Sequence, residues 1–340
     1  MNKKRKKIVT TAFILLMVVS SLTGCGNKKE ANGESSGLRV LNQAVMTGQL
    51  DYYAAIVGKD QGIFEKHNID LRTTEYVAGI YTIDAIVNGT ASVGMMADYA
   101  TVNRIGNTLH DTDLKIFSEL TGGDVQNGGL YVAPEYADDL KKMDGTKGFI
   151  THTGTVSDYY VIKAIEYIGI SEENQKLLNT DSVQTQLALV QKNEASAIYA
   201  NGATGSKIED FGWKLAATSQ DLGIQTGAYL LATESFIHEN GELLADYLVA
   251  LKETAEYLKN NPEKSAEIIA SKTGAAKEDV KTNIEAFNCR VGLSQEGYEH
   301  LQEINEWAFA HKRFKEAYDI KDFYDTRVLE LKMPELITVK

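Results

Sequence analysis

Cysteine is nearly missing from this chain: Cys25 and Cys289 are the only two among 340 residues. With no CxxC pair, a zinc ribbon and a dithiol redox motif are excluded. Positive charge is in deficit, with 35 Lys and Arg against 47 Asp and Glu and a formal net charge of -12. That balance argues against nucleic acid as a partner and against a basic membrane patch. The signatures GxSxG, HExxH, the P-loop and a GxGxxG after a strand are absent. The six histidines, at 67, 110, 152, 238, 300 and 311, are scattered, and only His152 falls in a candidate loop. No catalytic residue, metal site or cofactor is expected.

Long hydrophobic runs are also scarce. The one present, Ile8 to Val19, follows the basic cluster Lys3, Lys4, Arg5, Lys6 and Lys7. It is short for a membrane span, which needs roughly 20 residues, and suits the core of a signal peptide. Leu22-Thr23-Gly24-Cys25 comes next and resembles a bacterial lipobox. The resemblance implies cleavage after residue 24 and lipid on Cys25, which leaves Cys289 without a disulfide partner. Residues 26–37, "GNKKEANGESSG", read as a flexible tether after the lipidated cysteine. The expected product is a globule anchored to the outer face of the cell membrane, not an integral membrane protein.

What is present in quantity is globular: 43% hydrophobic and 24% charged residues. From Leu38 onward, strand-like runs such as "LRVLNQAV" and "ASVGMMA" alternate with helical ones such as "DYYAAIVGKDQGIF" and "IYTIDAIVNG". This order predicts an α/β fold with parallel-dominated sheets and helices on both faces. It occurs in two blocks, separated and followed by the Gly-rich breaks "TGGDVQNGG" and "DLGIQTG". Two lobes follow, residues 38–125 with 225–340 and residues 126–224, with a cleft between them. "GAYLLATESFI" reads as a last strand, and the chain beyond it reads as almost wholly helical. Pro262 suits a helix first turn.

Ligands of open α/β sheets sit outside the carboxyl ends of strands. The loops there carry the candidate contacts. "VMTGQLDYY" offers Gln49 and Tyr52, and "MMADYA" offers Asp98 and Tyr99. "THTGTVSDYY" offers Thr153, Gly154, Thr155 and Ser157, where a helix start presents free N–H groups to an anion or polar solute. An ordinary N-cap by Thr155 or Ser157, or by Asp98, is the competing reading. Asn201 after "ASAIYA", and Thr226 beside the second break, complete the set. Arg104 lies further into its helix and is expected to face solvent.

Several passages resemble one family. "AAIVGKDQGIFEKHNIDL", "VAGIYTIDAIVNGTASVGMMADYA", "GTVSDYYVIKAIEYIGI" and "QTQLALVQKNEASAIYA" are similar, in order and spacing, to passages of the ABC-transporter solute-binding proteins of the nitrate/sulfonate/taurine and thiamine-pyrimidine type. The resemblance covers about residues 38 to 310. The commoner pattern has glycine at Asn193, and a branched residue with aspartate at Ala195 and Ser196. The resemblance implies a type II periplasmic-binding-protein fold, monomeric, that closes on a small solute and delivers it to permease and ATPase subunits. The solute would be a sulfonate- or taurine-like anion or a heteroaromatic such as a pyrimidine. Asp51, Asp98 and Asp158 count against an anion, and the tyrosines favour a flat ring. A pyrimidine-synthase relative of the fold uses a cysteine-rich iron motif, which Cys289 alone does not supply. A lipoprotein that senses a ligand and signals through a membrane partner is the alternative, followed by an enzyme on the same fold.

Overall fold

The computed structural model describes residues 37–124 and 128–340. The signal segment, Cys25 and most of the tether lie outside them.

Two sheets organise the chain. The first begins with β1 (Arg39–Met46), β2 (Ile69–Tyr76), β3 (Val93–Ala97) and β4 (Leu114–Asp124). The second holds β5 (Gly129–Val132), β6 (Phe149–Thr151), β7 (Leu177–Asn179), β8 (Ala197–Ala200) and β9 (Lys214–Thr218). The chain then returns to the first sheet with β10 (Gln225–Thr233) and β11 (Cys289–Gly292). The orders are β11-β4-β10-β3-β1-β2 and β7-β6-β8-β5-β9. Each sheet has a parallel core of three strands, β2-β1-β3 and β7-β6-β8, as the βα alternation demands. Antiparallel strands complete both sheets, because the chain enters and leaves each lobe along adjacent paths.

The helices between these strands are α1 (Leu50–Asp60), α2 (Ile63–Lys66), α3 (Gly79–Val87), α4 (Asp98–Asn107), α5 (Val156–Ile168), α6 (Val183–Gln191) and α7 (Gly202–Asp210). After β10 come α8 (Glu234–Asn260), α9 (Pro262–Thr273), α10 (Lys277–Ala286), α11 (Gln295–Ala310) and α12 (Arg327–Lys332). β3 is central and buried on both faces, so its sequence VGMMA has no polar alternation. Among the described residues no helix is long and apolar enough to cross a membrane.

Three details differ from the reading of the sequence. The two glycine-containing breaks are partly strand. Gln225, Thr226 and Gly227 pair with Asp124, Gly123 and Gly122, so the ends of β4 and β10 satisfy one another's backbone groups. Glycine carries no side chain, and the apolar alternation that marks a strand fades there. β10 stops at Thr233, whose hydroxyl accepts from Phe236 N and starts α8, so "ESFI" is helix. The helical C-terminal region also contains β11, four residues on the edge of the first sheet beside β4. Asn193, where the family pattern has glycine, takes φ +55°. Asparagine tolerates that left-handed conformation better than most residues, and its amide also reaches the Glu135 carboxylate at 3.1 Å.

Candidate functional site

β3 delivers Asp98 to the first position of α4, at the end of the sheet where the chain crosses between lobes. Asp98 is fully buried yet well partnered. Its Oδ1 accepts from Tyr99 N at 2.7 Å, and Oδ2 accepts from Gly227 N of β10 at 2.9 Å. His300 Nε2, from α11, stands 2.8 Å from the same Oδ2. Burial of the imidazole opposes its charge, but the hydrogen bond to Asp98 and that carboxylate's charge prevail and raise the His300 pKa. One carboxylate thus joins α4, the crossing strand and α11.

Aromatic side chains surround this node. The Tyr99 ring of α4 stacks on the Tyr159 ring of α5, with centroids 5.4 Å apart and planes 10° apart. Trp307 of α11 meets Tyr159 edge-on at 4.8 Å. Behind them Tyr160 packs on Tyr199 at 4.4 Å, and the Tyr199 hydroxyl lies 2.9 Å from Ser219 Oγ. Burial, together with the Asp98 charge, raises the pKa of Tyr159 and Tyr160, so both hydroxyls remain neutral hydrogen-bonding groups. Beside the stack lies a cavity of about 310 Å³. It is lined by Tyr159, by Gln220, Gly223 and Ile224 of the segment joining β9 to β10, by Gln225 at the start of β10, and by His300, Glu303 and Ile304 of α11. That volume is at the lower end of the range of small-molecule sites. A narrow crevice that shares Gln225 and His300 continues along Thr226, Gly227 and Glu119.

The sequence-derived candidates separate into groups. Asp98, Tyr99 and Thr226 are at this node or its crevice. Gln49 and Asn201 occupy the N-cap positions of α1 and α7 without a side-chain cap bond. Tyr52 is buried, and its hydroxyl donates to Glu75 Oε2 at 3.2 Å. Thr153 is exposed, with its N–H bonded to Asn179 Oδ1. Thr155 is the N-cap of α5: its hydroxyl accepts from Ser157 N at 3.3 Å and donates to His152 O at 2.7 Å. Ser157 is half-buried one residue into the helix. Gly154 holds φ +79°, and its N–H donates to Asp158 Oδ2 at 3.3 Å. Asp158 is buried, its Oδ1 has no partner, and burial raises its pKa against the pull of Arg313.

Arg104 does not face solvent as expected. Its side chain is mostly buried and crosses to Asp84 of α3 at 2.8 Å, where a second helix offers it a carboxylate. Sequence reading missed His300, Glu303, Gln220 and Gln225. The α11 residues follow β11, a strand not legible in the sequence, and lie far along the chain from the strand-end loops that were read. Among the described residues no group of three His, Cys, Asp or Glu could hold a metal ion.

The fold is shared with several solved structures. The alkanesulfonate-binding protein SsuA from Xanthomonas axonopodis pv. citri, bound to MOPS, superposes with a TM-score of 0.69 at 14% identity, covering 84% of this chain and 98% of that one. The periplasmic aliphatic sulphonate-binding protein SsuA from Escherichia coli gives 0.70 at 15% identity, covering 84% and 97%. The desulfurization enzyme DSZB gives 0.64 at 9% identity, covering 86% and 99%. At such identities the likeness is one of fold, a periplasmic-binding-protein architecture that carries both binding proteins and an enzyme. No curated protein sequence matches the chain. Residues 49–265, well over half of it, match the family described as NMT1/THI5 like, and the chain belongs to that family.

Proposed function

We propose that this protein is the solute-binding component of an ABC importer, lipid-anchored through Cys25 at the outer face of the cell membrane, and that its solute is a small flat heteroaromatic. The observation that carries the reading is the cavity beside Asp98, bounded by Tyr159 of α5, the β9–β10 crossing and α11. A site lined from both sheets' lobes is one that lobe closure can complete around a solute. Family membership and the shared fold support the transport role.

The chemistry of the lining supports the solute class. No lysine or arginine lines the cavity, and Glu303 faces it while Asp98 adjoins it through His300. A sulfonate would meet the Glu303 carboxylate, while the one cation in the lining, His300, is already answered by Asp98. A ring with an amino substituent could stack on Tyr159 and exchange hydrogen bonds with Gln220, Gln225 and Glu303. Gln49, Thr153 and Asn201 are the further loop contacts of this proposal.

The test is a thermal-shift and calorimetric comparison of aminopyrimidines with taurine and nitrate. A solute at a hundredfold excess over its Kd stabilises the folded state by roughly 2.7 kcal/mol. An aminopyrimidine is expected to do so and taurine is not. Stabilisation by taurine alone overturns the solute class, and turnover of a screened compound without stable binding overturns the transport role. An N-terminal peptide that starts at Cys25 and carries lipid mass checks the anchor.

A further inference from the structure

A second cavity, of about 230 Å³, opens on the first sheet's lobe between α8, α10 and β11. One water needs only about 10–15 Å³, so this space admits a small organic molecule. Its floor is apolar: Leu50, Ala255, Leu258, Ile284 and Val291 are all buried, and Phe287 flanks them. Its rim is cationic. Lys252, Lys259 and Arg290 line it against a single carboxylate, Glu256. Glu256 is paired with Lys252 at 2.7 Å, and Arg290 shares Glu296 at 3.0 Å. Lys259 has no carboxylate partner among the described residues. Lys259 therefore leaves the rim with one cation in excess, on a chain of net charge -12.

We propose that this cavity is a second small-molecule site, for an organic monoanion with an apolar body, such as a medium-chain or aromatic carboxylate. The apolar floor removes hydrocarbon from water, and Lys259, with the paired Lys252 and Arg290 beside it, answers a carboxylate at the rim. A cationic ligand would be repelled by Lys259, and a neutral one would leave it unanswered. The walls of the cavity also lead elsewhere. Leu50 is the first residue of α1, directly after the candidate contact Gln49. Asn288 Nδ2 donates to Gly122 O at 2.7 Å, on the part of β4 that runs toward the second sheet. An occupant therefore touches both the cleft loop and a neighbour of the crossing strand. This inference does not depend on the transport reading.

Cys289 lines the cavity and supplies the probe. In a full-length Cys25→Ser variant it is the only thiol, and its rate of maleimide labelling reports access. Octanoate is expected to slow labelling in a saturable way. Octanamide, with the same tail and no charge, is expected to need a concentration at least about fivefold higher. Lys259→Gln and Lys252→Gln, both at exposed positions, are expected to raise the half-protecting octanoate concentration about fivefold each and leave the octanamide value and the melting temperature unchanged. Absence of protection by octanoate overturns the site. Equal protection by octanamide, or octanoate protection insensitive to both lysines, overturns its anionic specificity and with it the proposal.

Discussion

Asp51 sits in the first turn of α1 with 1% of its surface exposed. Its Oδ2 accepts from Met46 N at 3.1 Å, while Oδ1 has no hydrogen-bond partner. Gln43 Nε2 and Tyr247 Oη are buried without partners as well. Burial outweighs the bond from Met46 and pushes the Asp51 pKa up to about 7. The folded state then binds a proton that the unfolded state has already released between the ordinary carboxylate range and about pH 7. The stability tied to this group is complete below the ordinary value and is lost as pH rises through about 7. Asp51→Asn keeps the acceptor for Met46 N and removes the titration. Its unfolding free energy is expected to change less between pH 4 and 7, and to exceed the wild type's by about 2 kcal/mol at pH 8. Urea titrations across that range check both features, and an unchanged slope would show that another group is responsible. His300 acts in the same direction: its raised pKa gives stability present below the ordinary histidine value and lost as pH climbs past the folded one. Asp98 and His300 mark what was legible at this scale. Asp98 could be found because it follows a strand and opens a helix. Its partner His300 lies 202 residues away, and only tertiary packing brings the two within 2.8 Å.

Among the elements, α5 puts the choice between cap and contact to the test. Thr155 closes the first turn through Ser157 N and His152 O, so its oxygen serves the helix. Thr155→Ala is expected to cost about 1 kcal/mol of folding stability and to move solute affinity little. Gly154 differs, because φ +79° strains any residue with a Cβ, and that Cβ would stand 3.4 Å from Asn103 Nδ2 on α4. Gly154→Val is expected to lose about 1–3 kcal/mol of stability through backbone strain, and to weaken solute binding by shifting the loop that opens α5. Chemical denaturation and calorimetry on the two variants separate these effects; equal losses of affinity would place Thr155 in contact with the solute. Element order, and the short buried strands β3 and β8, could be read from apolar runs and from the glycines that follow helices. β11 could not, because a four-residue edge strand with two half-buried positions has no periodicity to detect. The lengths of β4 and β10 were hidden for a related reason: at their glycines the pairing is made by backbone, not side chains.

For the molecule as a whole, the relation between the lobes follows from contacts that no single element contains. Two crossings, β4 to β5 and β9 to β10, connect the sheets covalently. A third connection is non-covalent and runs from the C-terminal end of α11 to α5 and the turn after it. Trp307 Nε1 donates to the Glu166 carboxylate at 3.4 Å, and His311 Nε2 lies 2.9 Å from the same group. The His311 ring stacks on Trp307 at 4.0 Å, and Arg313 Nη2 reaches Glu172 Oε1 at 2.8 Å. With the Tyr99–Tyr159 stack, these contacts join the two lobes beside the cavity and favour this closed arrangement of them. Half-exposed ion pairs are each worth about 0.2–1 kcal/mol, so Glu166→Gln with Glu172→Gln together should remove roughly 1 kcal/mol of that preference. Because the closed arrangement starts as the major one, weakening it by that amount raises the apparent Kd about twofold, short of the fivefold limit for a minor state. The double variant is therefore expected to show a larger radius of gyration without solute, an unchanged one with saturating solute, and a Kd about twofold higher. Small-angle scattering and calorimetry measure all three. An unchanged radius with an unchanged Kd would mean that the covalent crossings alone set the lobe arrangement, and that Trp307 packs on Tyr159 without holding anything closed.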